Sequence, residues 1–225
     1  MSRLPLLLLA PVVLAQGARL RRTTPSMPPA APREGGPGRA GSGVVRLLVL
    51  GDSTAVGTGV TDMADAVAGH LARRVPAAWR VVGDNGLRSD ELLDRYLATA
   101  AERPADLIVV LAGWNDALQL RSARAFATAT GALLDGLRAA HPAARIALVA
   151  PPRFGRFAVF PQPLRWALGR HTDGLTRAAR RLTVERGIPL VPGFDGVHVA
   201  SDRFHPDAAG YAGLAADVAV ALHLD

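Results

Sequence analysis

The segment VVRLLVLGDS, residues 44–53, decides the fold of this chain. Its first seven residues form a nearly continuous apolar run, which is typical of a strand buried on both faces of a parallel sheet. The run stops at Gly51, and the polar pair Asp52-Ser53 follows at once. Ligands of such sheets bind beyond the carboxyl ends of the strands, so this position predicts a functional residue at the turn.

Similar short apolar runs recur along the chain, at residues 79–82, 107–111, 146–150 and 188–191. Between and after them lie longer stretches with helical spacing, at residues 62–75, 89–101, 123–140, 172–186 and 206–222. A strand that alternates with a helix five times predicts a three-layer α/β/α sandwich of the flavodoxin-like type. We expect a central parallel sheet of about five strands.

The composition of the 225 residues, of which 49% are hydrophobic, suits one domain with a short appendage. Cysteine is absent, which excludes disulfides, thiolate metal sites and a cysteine nucleophile. The net charge of +7 is uneven, because residues 1–46 hold seven Arg and one acid, whereas the rest holds 19 Arg and 18 acids. A nucleic-acid domain concentrates basic charge on its folded face, so we expect no nucleic-acid partner.

Residues 1–24 form an apolar and basic N-terminal segment. Its apolar run, residues 4–15, is too short for a bilayer-spanning helix, which needs about 20 residues. The length matches the core of a signal peptide, although Arg19, Arg21 and Arg22 follow and favour retention on the cytoplasmic side. Residues 4–22 equally suit an interfacial anchor on a membrane surface. Membrane association and export to the periplasm are both favoured over a cytoplasmic protein with a soluble tail.

Residues 25–43 are rich in Pro, Gly, Ala and Ser, and we interpret them as a flexible linker. The folded domain, residues 44–225, is then expected to begin near Val44.

Four polar segments follow predicted strands or precede the last helix, at residues 51–55, 83–86, 113–116 and 202–206. One reaction, acyl transfer, uses all four. A serine hydroxyl such as that of Ser53 is a weak nucleophile until a base takes its proton. His205 is the candidate base, since imidazole titrates near neutral pH. Asp202, three residues earlier, is the candidate that holds the imidazole in the correct tautomer.

Attack on an ester carbonyl develops negative charge on oxygen, and fixed hydrogen-bond donors must stabilise it. The candidates are the Ser53 N–H, the Gly86 N–H and the side-chain amide of Asn115. Gly86 suits this task because a residue without Cβ lets the backbone approach the substrate closely.

These blocks resemble the GDSL-type (SGNH) hydrolase family in identity, order and span. The matching residues are Gly51-Asp52-Ser53, then Gly86, then Gly113-x-Asn115-Asp116, and last Asp202-x-x-His205-Pro206. The resemblance covers roughly residues 45–223. It implies an α/β/α fold, a Ser-His-Asp triad that needs no metal or other cofactor, and hydrolysis of small-molecule esters or thioesters.

Two competing assignments can be weighed from the residues. The α/β-hydrolase motif Gly-x-Ser-x-Gly fails, because Ala55 occupies its last position. A second Asp-x-x-His runs from Asp195 to His198, and its His198 lies between two valines, where we expect partial burial or surface exposure. His205 is favoured because proline follows it at a predicted helix start. Asp52 and Asp116 are expected to hold loops through hydrogen bonds to the backbone.

An aromatic segment follows the fourth strand and contains Phe154, Phe157, Phe160 and Trp166. It is interpreted as the wall or lid of an acyl-chain pocket, since ligand pockets are mostly apolar and aromatic. The alternatives are a loop that packs its rings onto the core and a patch that touches a membrane. The favoured function is therefore an esterase for lipid-like or small acyl esters. The alternatives are an O-acetylesterase acting on a saccharide and a non-enzymatic, membrane-tethered binding domain.

Overall fold

The computed structural model of the protein describes residues 4–36 and 43–224. Its centre is a sheet made of the strands β1 Glu34–Gly35, β2 Val45–Gly51, β3 Ala77–Gly83, β4 Leu107–Leu111, β5 Arg145–Val149 and β6 Leu190–Val191. The strands lie in the order β1-β3-β2-β4-β5-β6. All neighbours pair in parallel except β1, which pairs antiparallel with β3. The predicted fold class is confirmed, with one short edge strand more than expected.

Helices cover both faces of the sheet. They are α1 Leu4–Thr23, α2 Val67–Ala72, α3 Ser89–Ala101, α4 Trp114–Leu118, α5 Ala123–Ala140, α6 Leu164–Arg186 and α7 Ala208–Ala221. Successive residues of β2 point to opposite sides, so that Leu48 and Leu50 join a core with α3, α5 and α6. Leu47 and Val49 join the second core, with α2 and α7. This double burial is why the strand needs an unbroken apolar run.

The helices agree with the periodicity where it is long and regular. Helices α3 and α5 coincide with the predicted stretches 89–101 and 123–140. The stretch 62–75 instead divides into a 3-10 helix, Met63–Asp65, and α2, because Ala66 between them is extended. Helix α6 begins at Leu164, directly after Pro163, rather than at residue 172.

The segment predicted as a flexible linker, residues 25–43, is attached to the domain over its described part. Strand β1 pairs with β3, the N–H of Ala30 donates to the Val56 carbonyl (2.9 Å), and the N–H of Met63 donates to the Ala31 carbonyl (3.0 Å). The composition gives no signal for this attachment, because it rests mainly on backbone hydrogen bonds, with the small side chain of Ala30 buried in the second core. The chain therefore pairs with the sheet domain from about residue 30, upstream of Val44. Residues 37–42 of the predicted linker and residues 1–3 of the N-terminal segment lie outside the described residues.

The N-terminal segment forms one helix, α1, which packs against α6. Its Val13 and Leu20 contact the core on the α6 side of the sheet. Across the described ranges we find no helix with both the length and the apolar character needed to cross a bilayer.

Candidate active site

Ser53 lies in the turn that follows β2, the strand between β3 and β4. The carboxyl ends of these three parallel strands therefore deliver the first three polar segments to one edge of the sheet. Glycine is required where the strand ends meet: a Cβ on Gly51 would lie 2.1 Å from the Leu111 carbonyl oxygen. Gly83 has φ 133°, and a Cβ there would lie 1.9 Å from the Gly51 carbonyl oxygen.

The structure brings Ser53, His205 and Asp202 together in one chain of hydrogen bonds. Ser53 Oγ lies 3.0 Å from His205 Nε2, and His205 Nδ1 lies 2.6 Å from Asp202 Oδ2. This geometry fits an imidazole that donates from Nδ1 to the carboxylate and offers Nε2 as an acceptor for the serine proton. A base at this distance is able to take the proton of a serine hydroxyl.

Asp202 is held as an anion by its own loop. Its Oδ1 accepts from the backbone N–H groups of Phe204 (2.9 Å) and His205 (3.0 Å). Burial opposes ionisation, but the hydrogen bonds from His205 and the backbone outweigh it and hold the pKa of Asp202 below its usual value. The spacing Asp-x-x-His thus lets one carboxylate shape the turn and orient the ring.

Trp114 supports the other side of His205. The two rings are stacked, with centroids 5.9 Å apart and planes at 16°. The edge of Phe204 meets Trp114 at 5.1 Å, and Phe194 stacks on it at 6.1 Å. Sequence reasoning missed Trp114, Phe194 and Phe204, because a ring contact between segments so distant in the chain leaves no local pattern.

Three of the four aromatic residues predicted to bind substrate lie in this same cluster. Phe154, Phe157 and Phe160 are buried and meet one another at centroid distances of 5.1 to 5.7 Å. The structure therefore places them behind His205 in the core, which is the arrangement of the alternative interpretation. Trp166 lies apart, on α6, and is 38% exposed.

The Asn115 side chain, a predicted oxyanion donor, is hydrogen-bonded to the residue that follows Gly86, another predicted donor. The Asn115 side-chain amide donates to the Leu87 carbonyl (3.0 Å), one residue after Gly86. Since the amide has two hydrogens, this bond fixes its orientation and leaves the second hydrogen for a ligand. Gly86 has φ 80°, which favours glycine, and apart from its two chain neighbours no described residue lies within 4 Å of where its Cβ would be.

The two other acidic residues hold the loops of the site together, and their predicted bonds to backbone are confirmed. Asp116 accepts from the Ser89 N–H (2.9 Å) and hydroxyl (2.7 Å), tying α4 to the start of α3. Asp52 accepts from the Thr54 N–H (3.1 Å) and hydroxyl (2.7 Å). Burial raises the pKa of Asp52 to about 6 and also raises the pKa of Asp116.

A cavity of about 10 Å³ lies beside the serine turn, and both Asp52 and Trp114 line it. In the described part of the chain, Asp52 Oδ2 and Trp114 Nε1 are buried and have no hydrogen-bond partner. One acceptor and one donor around a space of this size suit a single water molecule. Among residues 4–36 and 43–224, no three His, Cys, Asp or Glu side chains are grouped so that they could hold a metal ion.

The second Asp-x-x-His pair lies elsewhere. His198 is exposed, and Asp195 Oδ2 lies 3.5 Å from Arg156 Nη1. Asp195 Oδ1 accepts from the Val197 N–H at 3.3 Å. His205, and not His198, is the ring beside Ser53.

Comparison with known proteins gives one family and one fold. Residues 49–212 match the model of the GDSL-like lipase/acylhydrolase family. The structure of TesA has a TM-score of 0.67 and 22% identity, over 80% of this chain and 99% of that one. A carbohydrate acetylesterase from Sinorhizobium meliloti has a TM-score of 0.60 and 19% identity, over 80% and 98%. The aryl esterase of M. smegmatis has a TM-score of 0.61 and 20% identity, over 80% and 99%. The comparison with curated proteins gave no match.

Proposed function

The chain belongs to the GDSL-like lipase/acylhydrolase family, and from that membership we propose that Ser53 is its nucleophile, His205 its general base and Asp202 the residue that orients the base. The protein is a hydrolase that acts on ester bonds, and its substrate is a small-molecule ester. The observation that supports the assignment of roles is the hydrogen-bond chain from Ser53 Oγ through His205 to Asp202, with links of 3.0 and 2.6 Å.

In the proposed reaction Ser53 Oγ attacks the carbonyl carbon of the ester while His205 Nε2 takes the hydroxyl proton. The tetrahedral intermediate collapses to an acyl-serine, and the imidazolium gives its proton to the departing alkoxide or thiolate. Water then attacks the acyl-serine while His205 Nε2 takes its proton, and the second tetrahedral intermediate expels Ser53 Oγ. The imidazolium returns the proton to Ser53 Oγ, which releases the acid and restores the enzyme. Asp202 remains an anion throughout and stabilises the imidazolium.

The oxyanion of both tetrahedral intermediates is proposed to accept from the Ser53 N–H, the Gly86 N–H and the Asn115 amide. The bond from Asn115 to the Leu87 carbonyl supports this role, because it orients the amide before substrate arrives. A donor that is already oriented costs no reorganisation during the reaction.

The substrate is proposed to be a lipid-like or small acyl ester, and the packing of the aromatic segment favours the small end. Phe154 and Phe157 are buried against Trp114, and Phe160 is buried against those two rings. They therefore do not offer an apolar wall to a long acyl chain. The same observation favours a saccharide O-acetylesterase as the second candidate. A non-enzymatic binding domain is not proposed, because the family is one of hydrolases.

The test is the release of p-nitrophenol from esters of increasing acyl length by the wild type, Ser53→Ala and His198→Ala. We expect Ser53→Ala to lose activity and His198→Ala, which alters an exposed histidine of the second pair, to keep it. A fluorophosphonate should label Ser53 in the wild type and fail to label Ser53→Ala. Equal activity of the wild type and Ser53→Ala would show that the roles are assigned wrongly.

The acyl-length profile separates the two substrate classes. A sharp optimum at acetyl favours the saccharide esterase, and release of acetate from acetylated oligosaccharides would then establish it. A broad optimum at medium length favours lipid-like esters.

A further inference from the structure

Helix α1 is apolar on a face that looks away from the protein. Its inner side chains, Val13, Gln16 and Leu20, recur every three or four residues and lie towards α6. The outer side holds the exposed and apolar residues Pro11, Leu14, Ala15 and Ala18. Leu14 is 67% exposed, and Val12, at the opposite edge of this face, is 47% exposed. A surface helix normally turns polar residues to water, so this outer face is unusual.

Besides Val13 and Leu20, the polar side chain of Gln16 fixes the orientation of α1. Gln16 Nε2 donates to the Gln162 carbonyl (2.8 Å), and Gln16 Oε1 accepts from the Leu164 N–H (3.1 Å). Leu164 is the first residue of α6, where backbone N–H groups have no partner inside the helix. This two-way contact fixes which side of α1 faces outwards.

The surroundings of the outer face are basic. Helix α1 ends with the exposed Arg19, Arg21 and Arg22, and residues 1–33 contain no acid. The segment before α6 and the first turns of that helix, residues 157–172, also contain no acid. There the guanidinium of Arg170 lies 5.6 Å from the ring centroid of the half-exposed Trp166. Tryptophan and arginine are favoured where apolar and aqueous phases meet.

We propose that the outer face of α1 binds to the surface of a membrane that contains anionic phospholipids, with the helix lying in the plane of the interface. Leu14 and its exposed neighbours Pro11, Ala15 and Ala18 enter the boundary between head groups and acyl chains, and the arginines bind lipid phosphates. The absence of acids along α1 favours an anionic bilayer over a second copy of this chain, because two copies would bring their arginines together.

Helix α1 also contacts, through Gln16, the segment before α6 that leads back to the candidate site. Gln162 follows Phe160, whose ring lies 5.9 Å from that of Phe204, the neighbour of His205. If the proposed esterase function holds, docking brings the enzyme to esters presented at a bilayer surface. Membrane binding itself does not depend on that function and is tested without it.

The experiment measures co-sedimentation of the full chain with vesicles of phosphatidylcholine, with and without phosphatidylglycerol. We expect binding only when phosphatidylglycerol is present, and release in high salt, since the Debye length falls to about 3 Å at 1 M. Leu14→Asp and the triple change Arg19→Gln, Arg21→Gln and Arg22→Gln should each weaken binding at least about tenfold. Val184→Asp is the matched control, because Val184 is 77% exposed on α6 yet lies near its other end, and it should bind like the wild type.

All variants should hydrolyse a soluble ester at the wild-type rate, so loss of lipid binding is distinguishable from loss of catalysis. Far-ultraviolet circular dichroism and thermal unfolding confirm that each variant is folded. Equal binding to both vesicle types, or unchanged binding by Leu14→Asp, would overturn the proposal. A wild type that is dimeric without lipid and becomes monomeric in Leu14→Asp would equally overturn it, because the face would then be occupied by a second copy.

Discussion

Trp114 lies face to face with His205, with ring centroids 5.9 Å apart and planes inclined by 16°. The same indole makes T-shaped contacts with Phe154 and Phe157, each at 5.7 Å between centroids, so it cannot move without disturbing the core behind it. The imidazole is therefore fixed by a carboxylate at one ring edge and by an aromatic plane on one face. We regard Trp114 as a positioning residue for the proposed base.

Replacing Trp114 should lower kcat more than it changes KM. Trp114→Leu removes the stacked plane, and a misplacement of His205 by about 1 Å costs about a hundredfold in rate. Trp114→Phe keeps an aromatic face and should recover most of that loss. Steady-state kinetics on a soluble ester, at a temperature where every variant is folded, give the two constants.

The control for this prediction is Phe157→Leu. Phe157 contacts Trp114 but is not among the rings that meet His205. The substitution therefore costs packing energy in the core but leaves Trp114 stacked on His205. If Phe157→Leu lowers kcat as strongly as Trp114→Leu, the effect belongs to the core in general.

The two Asp-x-x-His pairs allow a matched test of the proposed triad. Asp202→Asn should lower kcat by about 10⁴-fold, because an amide in place of the carboxylate favours the wrong imidazole tautomer. Asp195→Asn alters the equivalent residue of the exposed pair, whose carboxylate lies near Arg156, and should leave kcat unchanged. Comparable losses in both variants would contradict the choice of Asp202.

Much of the fold follows from patterns that the chain displays locally. The run of residues 44–50 predicts β2 because every position from Leu47 to Leu50 must be buried on one face or the other. Helix α4 has only five residues, too few to show a helical period, and was missed. Residues 30–35 were missed for another reason, since they join the domain through backbone hydrogen bonds that no side-chain pattern records.

The candidate site likewise contains residues that local sequence patterns predict and residues that they do not. Ser53 and His205 were predicted from their positions after a buried strand and before a closing helix, which topology brings together. The role of Phe157 could not be predicted, because an aromatic loop has the same composition whether it lines a pocket or fills a core. The stacking of Trp114 on His205 depends on where two distant loops meet, which is a property of the whole fold.

Asn115 is predicted to have both a structural bond and a catalytic one. Asn115→Ala removes the proposed oxyanion donor and should lower kcat by about 10²–10³-fold, with little change in KM. It also removes the bond to the Leu87 carbonyl, which costs about 1 kcal/mol of stability.

Ser89→Ala separates the two effects. It removes a buried hydrogen bond to Asp116, the residue next to Asn115, and should cost similar stability while kcat remains near that of the wild type. Urea unfolding and steady-state kinetics on both variants provide the comparison, and an equal fall of kcat in Ser89→Ala would remove the case for an oxyanion role.

Asp52 should make the stability of the protein fall as the pH rises through the mildly acidic range. Burial raises its pKa from 3.8 to about 6, so between these values the folded protein binds a proton that the unfolded chain has released. The free energy of unfolding contributed by this group therefore decreases with pH, by up to about 3 kcal/mol in total. Asp202 acts in the opposite direction and in a separate range: its pKa is lowered, so its contribution is lost only as the pH falls below the ordinary value for aspartate.

Asp52→Asn cannot ionise, and its stability relative to the wild type should increase steadily from about pH 4 to about pH 7. Urea unfolding of both proteins across that range measures the difference, and a difference that is constant with pH would mean that the Asp52 carboxyl ionises as it does in the unfolded chain.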